Sequence, residues 1–129
     1  MIKNAERWGI RAMRLTRDRF LLNARIASGH WAHRTSHAMI YQLLSDWARP
    51  LLDRKKIRHT SAVFGLMQNS RVDCAYIEKL LPRLPPGDSE LYSHPSLDHF
   101  RNEYDALVNP AIRTLLQQHG IQLIRYQDL

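Results

Sequence analysis

The sequence predicts an α/β protein in which about four short parallel strands alternate with helices. Three observations lead there. Brief apolar runs are separated by longer stretches whose apolar residues recur every three or four positions. Glycines (Gly9, Gly29, Gly65, Gly87, Gly120) and prolines (Pro50, Pro82, Pro85, Pro86, Pro95, Pro110) punctuate the boundaries. The resulting order is helix then strand, repeated along the chain, which is the order of βαβ units. A parallel sheet this small leaves two edges open, so further strands are expected to complete it.

Taken in order, residues 2–8 read as the end of a helix stopped by Gly9. Ile10–Leu15 is the first strand, and residues 18–30, with Phe20, Leu21, Leu22 and Ile26, read as a short helix before Gly29. Residues 36–52 form the clearest helix. Met39, Ile40, Leu43, Leu44, Trp47, Ala48, Leu51 and Leu52 fall on one face, with Ser36 as the N-cap. Pro50 is expected to kink or end that helix near Arg49. Ser61–Leu66 is a second strand, and 71–81 a helix broken by Pro82. Ser89–His94 is a third strand, closed by Pro95. Helices follow at 97–107 and 110–119, the latter opened by Pro110 and ended by Gly120, before a last strand at Ile121–Arg125. All 129 residues fit one domain by length.

Hydrophobic residues at 44% and charged residues at 24% exclude a disordered chain. The net charge of +7 would suit a polyanion, but Arg7, Arg11, Arg14, Arg17 and Arg19 are scattered. Only Arg54, Lys55, Lys56 and Arg58 form a run, which reads as a solvated face, and no nucleic-acid partner is expected. The lone Cys74 excludes an internal disulfide and a cysteine-based zinc site. No apolar run reaches the roughly 20 residues of a membrane span, and charges at Lys3, Glu6 and Arg7 interrupt the start, so a cytoplasmic location is expected.

Catalytic groups in α/β proteins gather where strands end at their C-termini. His94 sits at such an end. Side chains alternate along a strand, so Glu90, Tyr92 and His94 share one face, with Leu91 on the other, toward the helices. An imidazole there can pass a proton to a leaving amine, or be a hydrogen-bonded structural histidine. Arg14 and Arg17 bracket the end of the first strand, where they can bind a sugar hydroxyl or hold a carboxylate; an ion pair with Asp18 accounts for them equally. His30, His33 and His37 would share a helical face if one helix ran through them. Gly29 and a capping Ser36 speak against that, and no carboxylate completes a hydrolytic zinc motif, so no metal ligand is assigned.

The stretch Leu81-Pro82-Arg83-Leu84-Pro85-Pro86-Gly87-Asp88-Ser89-Glu90-Leu91-Tyr92-Ser93-His94-Pro95 resembles the late segment of YdjC-like carbohydrate deacetylases. There a helix ends in a Leu-Pro-x-Gly turn before a strand of the form Glu-(apolar)-x-x-His-Pro. Gly9-Ile10-Arg11-Ala12-Met13-Arg14-Leu15-Thr16-Arg17-Asp18 resembles a second segment of that family, with Thr16 where proline is usual and Asp18 where glutamate is. Phe64-Gly65-Leu66 matches a loop element; Glu103, Leu107, Pro110, Gly120-Ile121 and the closing Tyr126-Gln127-Asp128-Leu129 also agree, while Ser96 replaces a usual Gly or Ala. The hopanoid-biosynthesis-associated deacetylases are the subgroup resembled most. The likeness spans 5–18 and 63 to the end, with 23–60 as a helical spacer.

The resemblance implies a distorted (β/α) barrel of which this chain would be the C-terminal half. It implies a hydrolase, dependent on a divalent metal (Mg or Zn), that removes acetyl groups from N-acetylated amino sugars or their conjugates. That family's ligands, an Asp and two His in the N-terminal half, have no counterpart here. The late His-Pro motif maps onto His94 as acid or substrate contact, Arg14 and Arg17 map onto arginines near the substrate mouth, and Glu90 and Tyr92 are expected as further substrate-binding residues. Alone, such a chain is expected to be inactive. Two alternatives stay open: half of a split enzyme completed by another chain or by self-association, or a small basic binding module.

Overall fold

The computed structural model describes residues 2–16, Leu22, Ile26, 31–66, Gln68 and 71–129, with the backbone alone for Lys3 and residues 31–39. Its elements are α1 (Trp31–Arg54), β1 (Ala62–Phe64), α2 (Cys74–Leu80), β2 (Ser89–Leu91), α3 (Arg101–Val108) and α4 (Pro110–Gln118). Short 3₁₀ turns lie at Ile2–Asn4, Leu81–Arg83 and Tyr126–Asp128.

The sheet is smaller than expected. β1 and β2 pair in parallel, with Ala62 opposite Ser89, Val63 opposite Glu90 and Phe64 opposite Leu91. The expected strand at Ile10–Leu15 reduces to one parallel bridge between Ala12 and Arg58, bonded through Met13 N–H to Arg58 O and Arg58 N–H to Arg11 O, each 2.9 Å. Ile121–Arg125 forms no strand among the described residues, and Leu123 and Ile124 there are 77% and 44% exposed. A strand exists by its neighbour's backbone hydrogen bonds; apolar, extended sequence without such a neighbour stays single. Two strands and a bridge therefore replace the four strands expected, in a mixed helix-and-sheet fold.

The expected parallel crossover is present: β1 runs to α2 and back to β2. Asp73 caps α2 by accepting from Tyr76 N–H at 2.9 Å, and Asn109 caps α4 through Ala111 N–H at 2.9 Å, with Pro110 in the first turn as expected. Helices α2, α3 and α4 pack over one face of the sheet. Phe64, Val72, Ile77, Leu80, Ala106 and Ile112 are buried there, and Leu91 points into the same cluster. Gly120 ends α4 as expected, with Ile121 N–H bonding back to Leu116 O at 2.9 Å.

Helix α1 departs from its expected bounds. It begins at Trp31, so Ser36 lies inside it, and it runs through Pro50 to Arg54. An internal proline costs ~3 kcal/mol. Leu52, just beyond it, is 1% exposed and packs with Ala5, Leu15 and Ile57, a burial worth ~1.5–3 kcal/mol that offsets most of that cost. Ile57 N–H then returns to Leu52 O at 3.0 Å around Lys56 at φ 53°, closing the helix with a left-handed residue. The expected apolar face of α1 is split: Leu52 is buried, whereas Ile40, Leu43, Leu44 and Trp47 are exposed. No helix among the described residues is long and apolar enough to cross a membrane.

Candidate functional site

The polar face expected on the third strand is assembled. Glu90 and Tyr92 alternate with Leu91, and Glu90 forms an ion pair with Arg14 and accepts a hydrogen bond from the Tyr126 hydroxyl. The Arg14 guanidinium lies over the Tyr92 ring, 4.8 Å from its centroid. The Tyr92 hydroxyl is 2.7 Å from His94 Nε2, and the two rings meet edge-on at 4.7 Å and 80°. Arg14, Glu90, Tyr92 and His94 therefore form one continuous chain of contacts, joined by Tyr126. Arg17 falls outside the described residues.

Two backbone features place these groups. Tyr92 N–H bonds to Phe64 O at 2.8 Å, extending the ladder one residue past β2. Opposite, Gly65 has φ +93°, and a Cβ there would stand 2.0 Å from Tyr92 O. Only glycine lets the two strand ends approach so closely. Beyond Tyr92 the chain leaves the ladder and carries His94 to an exposed position, flanked by Phe100 at 5.9 Å between ring centroids.

Charge across the cluster is balanced. The hydrogen bond to Glu90 raises the Arg14 pKa above its ordinary value, although partial burial works the other way. Burial first, then the bond to Glu90, pushes the Tyr126 phenol above the usual tyrosine range, so it remains a donor at neutral pH. The arrangement offers an exposed imidazole, a phenol and a fixed guanidinium on one surface. Such groups can hydrogen-bond a polyhydroxylated ligand and transfer a proton to it.

A cavity of about 420 Å³ adjoins β2, walled by Phe64, Ile77, Leu91 and Ile112, with Glu90 and Tyr126 also contributing. His94, Tyr92 and Arg14 do not line it, and its wall is mainly apolar.

Among the described residues no group of three His, Cys, Asp or Glu side chains is placed to hold a metal ion. Glu90 is taken by Arg14 and Tyr126, and Glu103 by two backbone amides. The described donor set does not fit a resident divalent cation. Contrary to expectation, His33 and His37 lie within one helix, α1; their side chains and His30 fall outside what is described.

Sequence reasoning did not single out Tyr126 or Glu103 as site residues. Glu103 carried a signal: three residues before the apolar Ala106, it sits where α3 turns inward, and a charged residue on a core-facing position marks a structural or functional bond. Tyr126 had no local signal, because its partner Glu90 is 36 residues away.

A family model, described as YdjC-like protein, matches residues 1–118. The chain belongs to the YdjC-like family. That family is related to carbohydrate deacetylases. No curated protein and no solved structure matches closely enough to add to this finding. The match includes the stretch 23–60 and carries Arg14, Glu90, Tyr92, His94 and Glu103. Tyr126, which closes on Glu90, lies beyond the matched segment of this YdjC-like chain.

Proposed function

We propose that this chain supplies the proton-donating, substrate-holding side of a carbohydrate N-deacetylase site. The Tyr92–His94 pair at the end of β2, beside the Arg14–Glu90 ion pair, carries the reading. Amide hydrolysis leaves an amine that must be protonated as the C–N bond breaks. An exposed imidazole held by a phenol is suited to give that proton. Arg14, Arg17, Tyr92 and Glu90 hold the hydroxyls of an acetylated amino sugar, free or as part of a conjugate of the kind acted on in hopanoid biosynthesis. The fold is the C-terminal half of a distorted (β/α) barrel. The divalent metal expected of such hydrolases, Mg or Zn, would be held by ligands that this chain does not supply, and when bound it would polarise the acetamide and activate water. The isolated chain is inactive, and its place of work is the cytoplasm.

Exposed apolar residues favour a second reading of how the site is completed. Leu43 and Trp47, one turn apart on α1, are 66% and 69% exposed, and Leu123 is 77% exposed. In that reading the chain is half of a split enzyme, completed by another chain or a second copy.

The test combines size exclusion, divalent-metal binding and acetate release from a chito-oligosaccharide. A chain that binds no metal and releases no acetate alone, but does so with an added N-terminal half, supports the proposal. In that complemented enzyme His94→Ala is expected to lower kcat by about a hundredfold or more; unchanged turnover with intact folding sinks the role of His94. A lone chain that binds metal and releases acetate would overturn the incomplete-site reading.

A further inference from the structure

We infer that Glu103 is the positioning residue of His94, a role that rests on the reading of His94 as the proton donor. Glu103 is wholly buried, in the first turn of α3. Its Oε1 accepts the Val72 N–H at 3.1 Å and its Oε2 accepts the His94 N–H at 2.5 Å. One carboxylate thereby ties the segment entering α2 to the loop leaving β2. The sheet ladder ends at Tyr92, whose N–H bonds to Phe64 O. Two residues on, Glu103 provides the next anchor, at the backbone of His94 itself.

With the chain held at Tyr92 N and again at His94 N, two side chains on the same face have little freedom to part. The 2.7 Å contact between Tyr92 hydroxyl and His94 Nε2 follows from those two anchors. Phe100, immediately before α3, lies 5.9 Å from the imidazole between ring centroids, so the start of α3 delivers both the anchor and a neighbouring ring. A buried carboxylate left without partners is costly. Here both oxygens are satisfied by amides, one of them belonging to the residue with the site's imidazole. Glu103 acts through backbone, not by touching a substrate.

The experiment reads the His94 ring nitrogens and their tautomer by NMR at one fixed pH in histidine-labelled chain. Four proteins are compared: unaltered, Tyr92→Phe, Glu103→Gln and the double variant. Glutamine keeps the shape of Glu103 but turns one acceptor into a donor facing an N–H. Tyr92→Phe is expected to shift the His94 Nε2 resonance in the unaltered background, and to leave it unshifted when Glu103 is Gln. An equal effect of Tyr92→Phe in both backgrounds overturns the inference. A carboxylate that only stabilised the core would lower the melting temperature without uncoupling the two rings. Should Glu103→Gln fail to fold, amide exchange in the unaltered chain decides. The His94 amide should exchange at least ~10-fold slower than an open peptide despite the residue's exposure; unprotected exchange overturns the inference. These readouts do not use turnover, so a failure to release acetate leaves them standing.

Discussion

The guanidinium of Arg14 lies over the Tyr92 ring, 4.8 Å from its centroid, while the same group pairs with Glu90. Through that one side chain the segment at residues 10–15 is joined to the polar face of β2, 76 positions along the chain from Arg14 to Glu90 (90 − 14). The contact is sequence-distant and holds the site together. Stacking of a cation on an aromatic ring adds ~0.5–1 kcal/mol at a partly exposed site.

Arg14→Ala is therefore expected to cost ~1–3 kcal/mol in chemical denaturation, since Glu90, with a side chain 10% exposed, would keep only the Tyr126 hydroxyl. Arg14→Lys should lose less, because charge survives while the planar contact does not. A loss under ~0.5 kcal/mol for Arg14→Ala would mean that solvent already screens the pair.

Gly65→Ala and Gly87→Ala should differ sharply. Both glycines have positive φ, +93° and +95°, so each substitution carries ~1 kcal/mol or more of backbone strain. At Gly87 the nearest atom to a new Cβ is Ser61 Oγ at 3.9 Å, whereas at Gly65 it is Tyr92 O at 2.0 Å. Gly65→Ala must push the strand ends apart. Denaturant midpoints should fall much further for Gly65→Ala, with the Tyr92–His94 contact perturbed as well; equal losses would contradict the close approach.

Leu52 and Trp47 belong to the same apolar periodicity but have opposite fates. Leu52→Ala should cost ~2–5 kcal/mol as a core truncation beside Leu15 and Ile57. Trp47→Ser, at 69% exposure, should change the stability of the monomeric chain by no more than ~0.5 kcal/mol. Thermal melts at low protein concentration separate the two, and a large loss at Trp47 would show that its face is covered.

Tyr126 ties stability to alkaline pH. Its pKa is raised in the folded chain by burial and by the bond to Glu90, so the folded state holds the proton more tightly than the unfolded one. That stability is fully present below the ordinary tyrosine pKa of about 10 and is lost as pH rises through the raised value. Melting temperatures measured from pH 9 upward should fall across that window, and Tyr126→Phe should flatten the fall. An identical decline in both proteins would remove Tyr126 as its source.

Much of the local structure could be read from residue order. Asp73 and Asn109 are capping types, Pro110 sits in a first turn and Gly120 at a helix end, and each acts through bonds to residues within four or five positions. Strand alternation placed Glu90 and Tyr92 on one face, whereas His94 lies beyond the ladder and is held by Glu103; the family was legible in motifs around Gly9–Asp18 and Leu81–Pro95. Helix α1 does not end at Pro50 because the penalty of a proline is local while the burial of Leu52 against Ala5 and Ile57 is not.

What tertiary structure alone decided is which of these pieces meet. Arg14 reaching Glu90, Tyr126 closing on the same carboxylate, and Glu103 holding the His94 amide all join distant segments. So does the failure of Ile121–Arg125 to become a strand, since its sequence is apolar enough but no partner ladder receives it among the described residues. Propensity, capping and alternation act over a few residues and are written in the sequence. Pairing of buried charges and of strand backbones depends on which surfaces the packed helices bring within hydrogen-bond reach.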